Sequence, residues 1–422
     1  MSSGFTLPGN APQAFHVLVK PTGAICNLDC AYCFFLSKEA LYPDSRFRMS
    51  DDLVETYVHQ LLESHRGPEV AVAWQGGEPT LMGLEFFKRA VACVERHKRA
   101  GQTIQHTIQT NGTRLDDEWC AFLKANNFLV GLSVDGPREM HDAYRVDKKG
   151  GGTFDSVMRA WDLLRKHKVD VNILCAVHAA NQDHPLEVYR FFRDALGAEF
   201  MQFIPIVERA SEPEGHLVTS RSVDPEAYGR FLIAVFDEWV RRDVGRIFVQ
   251  HFDSSLANWV KAPGAVCVFT ETCGRALALE HNGDLYSCDH FVDPAHKLGN
   301  IRDHRMIDLV ASPQQIKFGR DKRDALPRAC RECKVRFACH GECPKNRFVM
   351  TTDGEPGLNY LCAAYKAFFS HIDRPMKIMA DLLRRRRFAD EVMSILAAEE
   401  SVTVPVKGSG GRDAMTDNNS AL

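Results

Sequence analysis

Short runs rich in β-branched residues alternate with longer amphipathic stretches between residues 15 and 206. The alternation predicts repeated βα units, because parallel strands need long crossover connections, usually helices. Strands are predicted at 15–20, 70–74, 104–110, 129–134, 170–177 and 200–206. Helices are predicted at 51–65, 85–99, 117–126, 154–167 and 186–196. Six such units predict a partial, open (β/α)6 barrel with its active site at the C-terminal strand ends.

A different pattern follows. A helical pair is predicted at 225–242 and 254–260, before a cysteine-rich stretch without long helices. Two short apolar runs around Asn282-Gly283 predict a β-hairpin at 276–287, because Asn-Gly tolerates positive φ. Further helices are predicted at 360–383 and up to about 398, and the Gly, Ser, Asn and Asp content after Pro405 predicts disorder.

These patterns predict an α/β protein with a partial barrel, a small cysteine-rich domain containing a β-hairpin, and a C-terminal helical region. The predicted segments are an N-terminal stretch at 1–14, the barrel at 15–210, a helical linker at 211–261, the cysteine-rich domain at 262–365, C-terminal helices at 366–400 and a disordered tail at 401–422.

The composition argues against nucleic-acid binding, membrane insertion and secretion as functions or fates of this protein. The 422 residues carry a net charge of −3, which gives no electrostatic reason to expect nucleic acid or an anionic membrane as partner. We identify no apolar run of about 18 residues and no secretory signal, so neither a membrane span nor export is expected. Fourteen cysteines in such a chain favour metal or cluster ligation over disulfides, and a cytoplasmic location is expected.

Three cysteines follow the first predicted strand. Cys26, Cys30 and Cys33 have the spacing C-x3-C-x2-C. A cubane cluster has four irons, so three thiolates would leave one iron open for reaction. A zinc knuckle with an unseen fourth ligand is the alternative. It is disfavoured by Tyr32 before the last thiol, by the segment 76–79 (Gly-Gly-Glu-Pro) after the second strand, and by the βα pattern.

With these features the sequence resembles the radical S-adenosylmethionine superfamily. The resemblance implies that the open iron chelates the amino and carboxylate groups of S-adenosylmethionine, and that six residues contact this cofactor: Tyr32, Gly76, Gly77, Ser133, Arg145 and Val207. In this interpretation the glycines admit the methionine ammonium, although they could simply form a turn. Ser133 would bond the ribose or the carboxylate, Arg145 would clamp the carboxylate, Tyr32 would pack near the adenine, and Val207 would make a backbone contact.

The other eleven cysteines fall into two groups. Cys93 and Cys120 lie in predicted amphipathic helices and Cys175 in a predicted strand, so they are expected to be buried core thiols. The other eight are enough for two complete tetrathiolate sites: Cys267, Cys273, Cys288, Cys330, Cys333, Cys339, Cys343 and Cys362.

Cys330, Cys333, Cys339 and Cys343 match the C-x2-C-x5-C-x3-C spacing of the SPASM auxiliary-cluster domain, which this region resembles. The resemblance implies that Cys267, Cys273, Cys288 and Cys343 bind one 4Fe-4S cluster. It implies that Cys330, Cys333, Cys339 and Cys362 bind another, giving three clusters in all. Spacing alone leaves open a single zinc site made of the four hallmark thiols.

The resemblance is greatest to the anaerobic sulfatase-maturating enzymes, through 26–33 (CNLDCAYC), 74–79 (WQGGEP), 202–205 (QFIP), 288–290 (CDH) and 371–376 (HIDRPM). It implies an oxidoreductase that converts a Cys or Ser in a Cys/Ser-x-Pro-x-Arg motif of a sulfatase to Cα-formylglycine. It also implies an electron donor such as flavodoxin or ferredoxin. Asp289 would accept the proton that the substrate side chain loses, although it could merely cap the turn after Cys288.

Two other functions remain open at this point. Another SPASM enzyme could form thioether or carbon–carbon cross-links in a peptide. A non-catalytic metal-binding scaffold is the other alternative, but it would have no use for an open coordination position or for the segment 76–79.

Overall fold

The computed structural model describes residues 7–210, 217–262, 264 and 266–403. The strands are β1 His16–Lys20, β2 Glu69–Trp74, β3 Thr103–Thr110, β4 Leu129–Ser133, β5 Asp170–Val177, β6 Phe200–Pro205, β7 Phe248–Val249, β8 Ala276–Glu280, β9 Asp284–Tyr286, β10 Lys297–Asn300, β11 Val349–Met350 and β12 Pro356–Leu358. The helices are α1 Asp51–Ser64, α2 Leu84–His97, α3 Asp117–Ala125, α4 Arg138–Asp142, α5 Phe154–Lys166, α6 Pro185–Arg190, α7 Pro225–Arg242, α8 Gln250–Val260, α9 Met306–Val310, α10 Pro313–Asp324, α11 Arg328–Arg331, α12 Arg336–Cys339, α13 Cys362–Arg384 and α14 Val392–Thr403.

The described strands form one large sheet and one small one. The large sheet has ten strands in the order β10-β9-β8-β1-β2-β3-β4-β5-β6-β7, and β1 to β7 are parallel. The six predicted βα units are therefore confirmed. A seventh short strand, β7, extends the parallel series and was not predicted.

The predicted hairpin belongs to the same sheet as the barrel. Strand β8 pairs in parallel with β1, with His16 opposite Ala276 and Lys20 opposite Glu280. Strands β9 and β10 continue this edge in antiparallel fashion. The first barrel strand thus has a partner on each side, one of which comes from the cysteine-rich part of the chain.

One hydrophobic core joins the barrel, the hairpin and the C-terminal helices. Buried members include Val17 on β1, Phe203 on β6, Leu277 on β8 and Phe368 on α13. Helix α13 packs along α7 and α8. None of the helices in the described ranges combines the length and apolar character needed to cross a bilayer.

Several helix ends differ from the sequence prediction. Ser50 occupies the N-cap position of α1, where the sequence predicts that its side chain caps the helix, but this side chain makes no capping bond. Its hydroxyl instead accepts a 3.0 Å hydrogen bond from Arg302. Helix α14 continues to Thr403, and the rest of the predicted disordered tail, 404–422, lies outside the described residues.

Candidate active site

The three-cysteine motif lies in the loop that follows β1. Backbone hydrogen bonds from Asp29 to Val146 (2.8 Å) and from Ala31 to Tyr144 (2.9 Å) tie this loop to the segment after α4. Mainly through burial, and in part through neighbouring thiols of the motif, the pKa of Cys26 is raised to about 12 and that of Cys30 to about 11. Such thiols are poor nucleophiles at neutral pH, whereas a metal deprotonates its thiol ligands outright. This donor set fits an iron–sulfur cluster.

Gly76 and Gly77 pack directly against the cysteine loop. The Gly77 amide donates to the Gly23 carbonyl at 2.8 Å. A Cβ on Gly77 would lie 2.1 Å from the carbonyl oxygen of Ile25, and Gly76 has a φ of 131°. These glycines are therefore needed for the approach of two loops, whatever they contribute to a bound cofactor.

Glu78 connects this approach to the neighbouring strand end. Its buried carboxylate accepts bonds from the Thr80 amide (3.0 Å), the Thr110 hydroxyl (2.8 Å) and the Asn111 amide (2.8 Å). The Asn111 side-chain amide in turn lies 3.7 Å from the Cys26 sulfur. Through Asn111, the Glu78 carboxylate thus connects the end of β3 to the cysteine loop.

Asp135 organises two of the predicted cofactor residues. Its fully buried carboxylate accepts bonds from the Tyr32 hydroxyl and from Arg145 Nε at 2.8 Å, and its other oxygen accepts from the Ala176 amide at 2.9 Å. Burial raises its pKa, but the charge of Arg145 and the imidazole of His178, whose Nε2 lies 3.6 Å from the carboxylate, outweigh this and hold the pKa well below the usual range. An arginine has five N–H donors, so Arg145 keeps others for a ligand carboxylate.

Asp135 begins the segment Asp-Gly-Pro after β4, which the sequence predicts only as a tight turn. A carboxylate in a turn is common, and its burial beneath Tyr32 and Arg145 depends on contacts distant in sequence. A buried acid directly after a strand, at the edge where active sites gather, was the one available signal.

The remaining predicted cofactor residues also lie at the carboxyl ends of strands. Ser133 is buried at the end of β4, and Val207 is buried two residues after β6. Gln75, directly after β2, donates to Gln109 at 2.8 Å, while its buried side-chain oxygen has no partner among the described residues. An unpartnered buried acceptor at this edge fits a ligand that brings donors.

Asp289 is held at the same sheet edge by a residue that sequence analysis missed. Lys20, the fully buried last residue of β1, forms an ion pair with the Asp289 carboxylate, and its ammonium also lies 3.9 Å from the centre of the Phe35 ring. The Asp289 side chain is 12% exposed. In the described structure this carboxylate pairs with β1 and not with its own turn, which argues against a purely capping role.

The loop after the third cysteine covers the turn that contains Asp289. The Phe34 and His290 rings lie 5.5 Å apart, and the Lys38 ammonium donates to the Val292 carbonyl at 2.9 Å. His290 Nδ1 also lies 3.6 Å from the Cys343 sulfur. Asp289 therefore lies where the cysteine loop of the barrel meets the cysteine-rich domain.

The eight downstream thiols form two sets that interleave along the chain. Electrostatic interactions place Cys343 with upstream thiols. The first set is Cys267, Cys273, Cys288 and Cys343. The second set is Cys330, Cys333, Cys339 and Cys362. Three of the four hallmark thiols interact with Cys362, whereas Cys343 interacts with Cys267 and Cys288.

The other three cysteines, Cys93, Cys120 and Cys175, are buried as predicted, and all fourteen are free thiols.

Comparisons with known proteins agree with this geometry. The Radical SAM superfamily matches residues 21–192, and the SPASM iron–sulfur cluster-binding domain matches residues 267–334. A serine-type anaerobic sulfatase-maturating enzyme of Bacteroides thetaiotaomicron is 45% identical over 91% of this chain and 95% of its own length. A cysteine-type enzyme of Clostridium perfringens is 35% identical over 84% and 95%, respectively. The solved structure of anSMEcpe with bound AdoMet and Kp18Cys peptide has a TM-score of 0.79 at 34% identity, covering 87% of this chain and 99% of that one.

The fold and its thiol sets define a radical SAM enzyme with a SPASM domain, a class that uses S-adenosylmethionine and 4Fe-4S clusters. Within this class the chain belongs to the anaerobic sulfatase-maturating enzymes, which oxidise a residue of a sulfatase to Cα-formylglycine.

Proposed function

We propose that residues of this chain have three roles in formylglycine formation: they hold the clusters, hold the cofactor and accept a proton from the substrate. Cys26, Cys30 and Cys33 would hold the open cluster, and the two downstream thiol sets would each hold an auxiliary cluster. When bound, the open cluster and S-adenosylmethionine supply the radical chemistry that removes a hydrogen from the substrate side chain. The protein must hold the cofactor, exclude water and move a proton.

In this proposal, residues at the carboxyl ends of the barrel strands hold S-adenosylmethionine. Arg145, fixed through Nε by Asp135, would present its remaining donors to the cofactor carboxylate. Tyr32 would flank the adenine with its hydroxyl anchored on Asp135, and Ser133 would bond the ribose or the carboxylate. Gly76 and Gly77 would leave room for the ammonium, and Val207 would contribute a backbone contact.

Proton transfer is assigned to Asp289, and the ion pair with Lys20 is the observation that carries this assignment. The pair fixes a carboxylate from the SPASM domain at the end of the strand that leads to the cysteine loop. An ionised carboxylate there could accept the proton of the substrate thiol or hydroxyl as the side chain is oxidised. The ammonium is fully buried and the carboxylate is 12% exposed, so the pair holds the Asp289 side chain in one place beside β1.

The test is Asp289→Asn in the reconstituted enzyme, with peptides that carry Cys or Ser in the Cys/Ser-x-Pro-x-Arg motif. We expect formylglycine, measured by mass spectrometry, to fall by about 10²-fold or more, while 5′-deoxyadenosine is still formed. The control is Asp293→Asn, because among the described residues that carboxylate hydrogen-bonds within its own turn, to Ala295 and His296. Equal yields from the two variants would overturn the role of Asp289. The two peptides also show which residue is modified, since the relatives include both serine-type and cysteine-type enzymes.

The partners and location form the last part of the proposal. The substrate is a sulfatase polypeptide, and a flavodoxin or ferredoxin supplies electrons, with no nucleic acid or membrane taking part. Fourteen free thiols favour a reducing compartment, and we assign the enzyme to the cytoplasm.

A further inference from the structure

Helices α1 and α2 carry a polar stripe along their contact that the reaction does not use. Both helices follow parallel strands of the sheet and pack side by side. Asp51 and Arg89 form an exposed ion pair at 2.9 Å near the start of the stripe. Residues four apart lie on one helix face, so the next turn brings Glu55 of α1 opposite Cys93 of α2.

This turn brings together three different metal-ligand types. The Cys93 sulfur lies 3.2 Å from one Glu55 carboxylate oxygen, and His97 Nε2 contacts the other. The ligand atoms of Glu55, Cys93 and His97 all lie within 4.8 Å of one another. His59, one turn after Glu55, places its ring centre 5.4 Å from that of His97. Its side chain contacts Glu63 at 3.5 Å, but it is 51% exposed and so has room to turn towards the cluster.

We propose that Glu55, His59, Cys93 and His97 form a second kind of metal site, which binds a divalent cation of the zinc class. Zinc takes four ligands from thiolate, imidazole and carboxylate groups, and two residues four apart on a helix are a common way to supply a pair of them. Here two such pairs face each other. One thiolate and one carboxylate balance the charge of the cation. The proposal does not rest on the proposed catalytic roles.

The simpler interpretation is an ordinary surface ion network. Arg96 also contacts Glu55, and Glu55 with Arg96 and His97 would suffice for such a network. That interpretation does not explain why buried Cys93 contacts the Glu55 carboxylate between the two helices, or why His59 lies beside His97. The Arg96 side chain is 61% exposed, so it can leave Glu55 for solvent when a cation binds.

A cation here would fasten the first two βα units together on the outside of the barrel. Strand β2 lies between these helices in sequence and leads to Gly76 and Gly77. The function of the cation would be structural, because its four ligands lie on the outer helices α1 and α2 and not at the carboxyl ends of the strands, where the active site lies.

The experiment uses the holoenzyme with all clusters reconstituted, dialysed anaerobically against buffered Zn²⁺, with zinc and iron measured by elemental mass spectrometry. We expect one zinc per chain at full iron content and a rise in melting temperature. His97→Ala should weaken zinc binding by about tenfold or more and abolish the temperature rise, with formylglycine formation unchanged.

The matched control is His167→Ala. His167 Nε2 lies 2.7 Å from the Asp117 carboxylate, and its side chain is 22% exposed, against 26% for His97. Among the described residues, however, this pair is not part of a group of three possible metal ligands. This control should bind zinc like the wild type. If His97→Ala does not fold, the exposed His59→Ala variant replaces it and should also lose zinc affinity. A wild type without retained zinc, or histidine variants that retain it as the control does, would overturn the proposal.

Discussion

The ion pair between Lys20 and Asp289 makes a sharp prediction for Lys20→Met. The substitution keeps a long unbranched side chain but removes an ammonium that is fully buried. It leaves a carboxylate only 12% exposed without its partner. Removing one member of a buried ion pair costs about 3–5 kcal/mol, because the other charge stays desolvated. The substitution also frees the Asp289 carboxylate from the end of β1, so it would be less well placed to accept the substrate proton.

Both stability and turnover should therefore fall. We expect Lys20→Met to unfold at a lower guanidinium concentration, followed anaerobically by the fluorescence of the five tryptophans. Formylglycine formation should fall by about tenfold or more, as part of the typical contribution of a general base. The control is Lys38→Met, which removes another ammonium that interacts with Asp289 through charge, but one that hydrogen-bonds the Val292 carbonyl at 2.9 Å and forms no ion pair with Asp289.

A double-mutant cycle with Asp289→Asn isolates the pair itself. The double variant should be more stable than the sum of the two single losses implies, with a coupling of about 2–3 kcal/mol. Additive losses, or a Lys20→Met enzyme that matches Lys38→Met in stability and yield, would refute the reasoning.

Two further predictions concern packing and acid stability. Gly77→Ala should reduce cleavage of S-adenosylmethionine to 5′-deoxyadenosine by about 10²-fold, because the added Cβ would lie 2.1 Å from the Ile25 carbonyl oxygen and displace the cysteine loop. The control is Gly67→Ala, because a Cβ at Gly67 would meet open space. Equal losses of cleavage in the two variants would contradict this prediction. Burial lowers the pKa of His106 to about 4 from 6.5, so the unfolded chain binds a proton first as pH falls from about 6.5 to 4, and about 3 kcal/mol of stability is lost over that window. His106→Phe should flatten this part of the denaturation profile, and an unchanged acid slope would contradict it.

The barrel was predictable because its signals are local. The predicted span of β5, 170–177, matches the strand in the structure, and the other five predicted barrel strands agree to within one residue at each end. Helix α8 begins at Gln250, four residues before its predicted start. The predicted helix at 186–196 begins one residue earlier and changes to a π-helical turn at Phe191–Ala195. Helix ends depend on caps and tertiary packing, which periodicity does not report.

The contacts that join the two domains were not predictable from local pattern. Lys20 and Asp289 are 269 residues apart, and a lysine that ends an apolar strand ordinarily indicates exposure to solvent. Cys343 interacts with thiols far upstream, although three cysteines lie close before it in sequence. Its grouping was expected from family resemblance alone, because spacing favours neighbours in sequence.

The double pairing of β1 also has a consequence for how the enzyme is made. Between Lys20 and Glu280, its partner on β8, a ribosome must add about 260 residues, which takes roughly 13–52 s at about 5–20 residues per second. During that interval one edge of the strand that leads to the cysteine loop has no neighbour and is open to pairing with another chain. A barrel expressed without the hairpin would keep this edge permanently exposed and should aggregate. The parallel barrel strands alone therefore do not protect β1, whose second edge is covered only after β8 has been synthesised.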